Sequence, residues 1–124
     1  MGRLKTAPRI YLVHWPAIDV MKAGYTEHSR WKSFVGRGAV LLGLWEVDDV
    51  THAFALEREL LKAVAWHAIG QGFENSREAE PYLGGGGGGY MECYCVQSAA
   101  VEDVQSHASG IAGRMPLAMR IEVI

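Results

Sequence analysis

Six consecutive glycines, Gly84 to Gly89, interrupt this chain. No helix or strand interior accommodates such a run, because glycine gives up the most backbone freedom on ordering and packs nothing in return. Regular structure must therefore be arranged around that segment. The chain has 124 residues, which suits one domain. Its 49% hydrophobic and 21% charged residues suit a globular core, not a disordered chain. A chain of this size buries roughly two-thirds of its unfolded surface, so a core forms without staples. No apolar run approaches the ~18 residues of a membrane-spanning helix. The opening MGRLKTAPRI lacks the apolar stretch of a signal peptide. Gly2 and Thr6 meet the N-myristoylation pattern in form only. Cys93 and Cys95 are too close together for a framework disulfide, and so few cysteines fit a reducing, cytoplasmic compartment.

The net charge of −2 conceals an asymmetry. Met1 to Arg37 holds seven basic residues (Arg3, Lys5, Arg9, Lys22, Arg30, Lys32, Arg37) and two acidic ones, Asp19 and Glu27. A basic segment on a weakly acidic protein is either a phosphate-facing surface or a solvated face.

Ile10–Trp15 (IYLVHW) reads as a strand closed by Pro16, and the stretch from Ile18 to Ala23 as its hairpin partner, ended by Gly24. Thr26 stands as a helix N-cap, with Trp31, Phe34 and Val35 as one apolar stripe before Gly36. Ala39–Val47 reads as a central strand. Asp48, Asp49 or Thr51 then caps the strongest helix, His52–His67. Residues 70–89 read as a flexible glycine-rich loop. Tyr90–Val96 reads as a strand, Ala99–Ile111 as a helix and Leu117–Ile124 as a last strand. This order predicts an α+β domain spanning 1–124: a small antiparallel three-stranded sheet flanked by helices, a basic arm at 1–8, and a C-terminal strand-helix-strand extension.

On the His52–His67 helix, Ala53, Leu56, Leu60, Leu61 and Val64 share one side, and Glu57 falls inside that stripe. Glu59 points the opposite way. A carboxylate among apolar neighbours needs a cation, a metal or a shifted pKa. The open alternatives for Glu57 are a buried ion pair with an arginine or an escape to solvent at the stripe's end. Arg30 is placed to fork onto a carboxylate or a phosphate. Tyr11, in mid-strand, needs a partner for its hydroxyl if buried.

RIYLVHW, VMKAGYTEHSRW and AFALERELLKAV together resemble the GIY-YIG nuclease superfamily over about residues 8 to 105. Arg9-Ile10-Tyr11 stands for the first motif and Lys22-Ala23-Gly24 for the second. Tyr25 and Thr26 complete the K-x-G-Y-T form of a divergent branch. Arg30-Trp31 matches the family arginine and the aromatic after it. Leu56-Glu57 with Leu60-Leu61-Lys62 matches the family's L-E-x-x-L-I-K helix, the register the helical wheel selects. Gly89 to Tyr94, with Glu92, is similar to a late strand of that branch. Arg9 replaces the first glycine, Lys22 the second tyrosine and Phe34 the family histidine, and Asn75 lies near where a late asparagine belongs.

The resemblance implies a DNA endonuclease that hydrolyses phosphodiesters with one Mg²⁺ or Mn²⁺ held by Glu57. It implies Arg30 on the phosphate, Tyr11 orienting or deprotonating water, and Lys22 depressing the Tyr11 pKa or adding a phosphate contact. His14 and His28 are the candidates to replace the missing histidine. Arg9, Lys32, Arg37 and His28, with Arg3 and Lys5, would meet the DNA backbone without reading sequence. Sequence choice would then belong to a separate domain or protein partner, and no membrane is involved. The same motifs fit a weakly active or inactive module that only binds nucleic acid or protein. Cys93-Tyr94-Cys95 offers two thiols without the second pair a zinc site needs. Gly84–Gly89 lacks the Lys-Ser/Thr of a phosphate-binding loop. The four tryptophans read as packing.

Overall fold

A computed structural model describes residues 7–115 and 118–122. Arg9–Trp15 forms β1 and Val20–Thr26 forms β2, an antiparallel hairpin. Helix α1 (Arg30–Gly36) leads into β3 (Val40–Val47), and α2 (Val50–His67) follows. Then come β4 (Gly70–Gln71), α3 (Ser76–Leu83), β5 (Cys93–Cys95), α4 (Val101–Gly113) and β6 (Ala118–Glu122). The sheet runs β4-β5-β2-β1-β3-β6, with every pair antiparallel.

The α+β class agrees with the sequence reading, but the sheet exceeds the expected three strands. The expected C-terminal extension does not stand apart. Its strands join opposite edges of the one sheet, β5 on β2 and β6 on β3. Two apolar layers explain why β1 is buried from Ile10 through Trp15. Ile10, Leu12, Met21 and Ala23 meet Leu56, Leu60 and Val64 of α2, with Val104 and Ala108 of α4. On the other face Tyr11, Val13 and Trp15 meet Trp31 and Phe34 of α1 and Ala79 and Leu83 of α3. A strand covered on both faces reads as an unbroken apolar run and loses the alternation of a half-exposed one.

Several boundaries shift from those read in the sequence. Gly24 does not end β2; it pairs with Tyr11 in mid-strand. A Cβ there would run into the Tyr11 ring and hydroxyl, so the strand carries glycine to seat the aromatic opposite it. Thr26 belongs to β2 and accepts a hydrogen bond from the His28 backbone, while Ser29 occupies the N-cap position of α1. Val35 lies outside the buried stripe of α1. Asp49 caps α2, accepting from the His52 backbone N–H at 2.8 Å. The expected strand from Tyr90 shrinks to Cys93–Cys95, because Tyr90–Glu92 forms a 3₁₀ turn. Arg3 and Lys5 of the expected arm, and Leu117 and Ile124 of the expected last strand, lie outside the described residues.

The segment read as a loop over 70–89 holds β4 and α3. Asn75 caps α3, accepting from the Glu78 backbone at 2.9 Å, and Glu78 accepts in return from the Glu74 backbone at 3.2 Å. This reciprocal pair outweighs Pro81 near the helix end, which forfeits one hydrogen bond. The glycines then turn back: Gly84 to Gly87 and Gly89 all have positive φ. Gly87 lies so close to the Ser76 carbonyl that a Cβ has no room. The run is thus a folded turn packed on α3.

Asn75→Ala is expected to lower unfolding free energy by about 1 kcal/mol, measured by urea denaturation. An unchanged midpoint would contradict the capped α3.

Candidate active site

The site lies at the outer edge of β2. Strand β5 pairs only with Val20, Met21 and Lys22, so β2 beyond Lys22 has no strand partner on that side among the described residues. Side chains from the two faces of the sheet meet there.

Lys22 is the centre. It is buried, with 2% of its surface exposed, and its Nζ donates to Glu92 Oε1 at 3.0 Å. Nζ also lies 5.9 Å from the centroid of the Tyr11 ring. A buried ammonium without a counter-charge would cost several kcal/mol, and Glu92 supplies it. Burial lowers the Lys22 pKa, but Tyr11, Cys93 and Glu92 together outweigh burial, and the net direction is upward. Lys22 therefore remains an ammonium at neutral pH.

Tyr11 is 1% exposed. Burial pushes its pKa up, and the opposing pull of Lys22 and Arg30 does not reverse that. The sequence reading gave Lys22, as one of its two roles, the task of depressing the Tyr11 pKa so that Tyr11 could act as a base. The structure corrects it: the desolvation of a phenolate in the core exceeds the attraction of Lys22 and Arg30. Tyr11 stays protonated near neutrality and can donate a hydrogen bond.

Arg30 opens α1 and reaches across to the glycine turn. Its Nη2 donates to the Gly88 carbonyl at 3.3 Å, and its guanidinium stacks 5.5 Å from the Phe34 ring centroid. Most of its donors face solvent. Gly89, with φ of 87°, brings the chain against Lys22, where a Cβ would stand 3.3 Å from Nζ. The glycine run thus borders the site, and three residues after it comes Glu92.

Glu57 approaches from the other face, on α2. It is half-buried, and its pKa is raised, first by burial and then by the Glu92 carboxylate. Lys22 and a hydrogen bond from the Tyr25 backbone pull the other way. Tyr11, Lys22, Arg30, Glu57 and Glu92 thus fall into one electrostatic neighbourhood. Glu59, on the opposite side of α2, pairs with Lys62 at the surface. Glu57 and Glu92 are thus two half-buried carboxylates that influence one another, and their hard oxygen donors are of the kind that Mg²⁺ or Mn²⁺ takes.

The other expected residues scatter. His14 is buried, bonds the Val96 carbonyl at 3.3 Å and has its pKa lowered by burial, so it fastens the chain after β5 and does not replace a catalytic histidine. His28 is exposed in the turn before α1. Arg9 faces Glu46 at 3.5 Å, and Arg37 donates to the Pro81 carbonyl at 3.3 Å, tying α1 to α3. Lys32 is exposed beside the Trp31 ring. Cys93 is a buried thiol with its pKa pushed up to about 11, first by desolvation. The sequence reading missed the Gly88 carbonyl and the Tyr25 backbone N–H; backbone groups leave no trace in residue type.

A separate group, Asp48, Asp49 and His52, has ligand atoms within 4.8 Å of one another. These side chains already serve the α2 cap, with His52 Nδ1 2.9 Å from Asp48 and 3.3 Å from Asp49. Among the described residues, no helix is long and apolar enough to cross a membrane. Comparison with protein-family models, curated proteins and solved structures found no match.

Lys22→Met removes the cation that lowers the Glu57 pKa, so that pKa is expected to rise further. An NMR pH titration of the Glu57 side-chain carboxyl measures it; an unmoved or lower midpoint would separate the two residues.

Proposed function

We propose that this protein is a metal-dependent DNA endonuclease of GIY-YIG type. The observation that supports this reading is that Lys22 lies beside the Tyr11 ring and engages Glu92, Arg30 reaches the Gly88 carbonyl near them, and Glu57 feels the charges of Lys22 and Glu92. Four of these residues, Tyr11, Lys22, Arg30 and Glu57, are ones the motif resemblance selects. The Arg30 guanidinium, with donors to spare, clamps the scissile phosphate and offsets its developing charge. Lys22 adds a fixed positive charge behind it. Tyr11 donates a hydrogen bond that orients the attacking water or a phosphate oxygen. Glu57, with Glu92, would hold the cation. When bound, Mg²⁺ or Mn²⁺ supplies Lewis-acid polarisation of the phosphate and stabilises the leaving oxygen. Lys32, His28 and the free donors of Arg37 serve as backbone contacts.

A specific observation favours a second reading. Lys22 stands where the family has its second tyrosine, and its ion pair engages Glu92. A module that binds nucleic acid without cutting it would keep this geometry.

Plasmid nicking with Mg²⁺ or Mn²⁺ separates the two. Wild type is expected to nick, Glu57→Gln to lose about 100-fold or more, and Glu59→Gln to match wild type. Activity is expected to fall as pH drops through the raised Glu57 pKa, because the protonated carboxyl no longer attracts a cation. Salt-sensitive binding without metal-dependent nicking would support the binding module. Equal nicking by wild type and Glu57→Gln would overturn the nuclease reading.

A further inference from the structure

Alongside Glu57 runs a groove that the phosphate chemistry does not use. It has a volume of about 460 Å³ and is lined by Phe54, Glu57, Arg58, Leu61, Lys62 and Tyr94, among others. That is within the range of cavities that hold small ligands or parts of larger ones. Its aromatic wall is exposed yet held in place. Phe54 is 49% exposed, and its ring lies 4.9 Å from that of Tyr25 at 41°. Tyr25 Oη is in turn fixed by Glu27 Oε2 at 2.5 Å. Tyr94 projects from β5 at the other side of the groove. The rim carries Arg58 and Lys62, both exposed. Lys62 reaches Glu59 at 3.3 Å, whereas Arg58 has no acidic partner among the described residues.

We infer that this groove receives an unpaired nucleobase of the substrate, so that the site acts on nucleic acid with a locally unpaired strand. The inference rests on the nuclease reading and deepens it. A base is tethered to its phosphate by one sugar, and Glu57 belongs both to the phosphate site and to the groove. A nucleotide whose phosphate lies beside Glu57 therefore has its neighbouring base within reach of Phe54. Aromatic side chains hold bases by stacking, whatever the sequence, and the cations at the rim meet the flanking phosphates. A base inside a duplex is paired and stacked on its neighbours, and it enters such a groove only after leaving the stack. A surface that met the duplex backbone alone would need the cations but no exposed, braced phenyl ring.

The test uses fluorescence anisotropy with a labelled duplex containing a central unpaired bubble, against the same duplex fully paired, with Ca²⁺ in place of Mg²⁺. Wild type is expected to prefer the bubble. Phe54→Ala should weaken bubble binding about tenfold or more and leave paired-duplex binding unchanged. Phe54→Tyr should restore it, which a loss of fold in the alanine variant would not undermine. Equal binding of both probes, or equal weakening of both by Phe54→Ala, would overturn the base groove. If Glu57-dependent nicking persists in that case, the nuclease reading stands alone. If neither probe binds and nothing is nicked, both readings fall, and the groove is left to a protein partner.

Discussion

The buried ammonium of Lys22 constrains the structure around it more than any other group. A charge so enclosed must have a counter-charge close by, or the core would exclude it. Glu92 meets that need at 3.0 Å. Bringing Glu92 to the edge of β2 requires the chain to return there after α3 through a tight turn. That turn passes close to the Ser76 carbonyl at Gly87 and to Lys22 at Gly89, with a left-handed backbone at both positions. The glycine run is thus what lets the second half of the chain dock on the Lys22 charge. Tyr11 fits beside Lys22 only because its cross-strand partner is Gly24.

The shortness of β5 has an equally large consequence. A longer strand would have paired with β2 beyond Lys22 and closed the edge. Pairing stops at Lys22, and Lys22, on the α1 and α3 face, still lowers the pKa of Glu57, which α2 brings from the other face. A half-buried carboxylate is nonetheless raised in pKa, a buried amine stays charged, and a buried phenol stays neutral. Perturbed groups gathered in this way are what a functional site would show, and the proposed chemistry assigns the amine to phosphate attraction and the phenol to hydrogen-bond donation.

Much of this was legible in the chain. The apolar stripe of α2 isolated Glu57 from Glu59, because helical periodicity depends only on local spacing. The pairing of Gly24 with Tyr11 was not legible, because the sequence reading ended the second strand at that glycine and cross-strand register depends on the whole hairpin. Helix α3 was harder to see. Its composition is polar and contains Pro81, yet Asn75 and Glu78 carry the cap signal at the correct spacing. The acidity of Tyr11 was misjudged for a different reason. Neighbouring cations can be guessed from the hairpin register, but the depth of burial depends on α1 and α3 packing over the ring. Strands β5 and β6 fall inside segments read as strands, whereas β4 is two residues held by long-range pairing and leaves no periodic signal.

Paramagnetic broadening by Mn²⁺ tests the proposed metal site most directly, because it distinguishes Glu57 and Glu92 from the Asp48, Asp49 and His52 group. In a ¹H–¹⁵N spectrum, substoichiometric Mn²⁺ is expected to broaden the amides of Tyr25, Glu57, Gly88 and Glu92 first, and Glu57→Gln is expected to abolish that pattern. Broadening centred instead on Asp48, Asp49 and His52, and indifferent to Glu57→Gln, would contradict a metal site at the edge of β2.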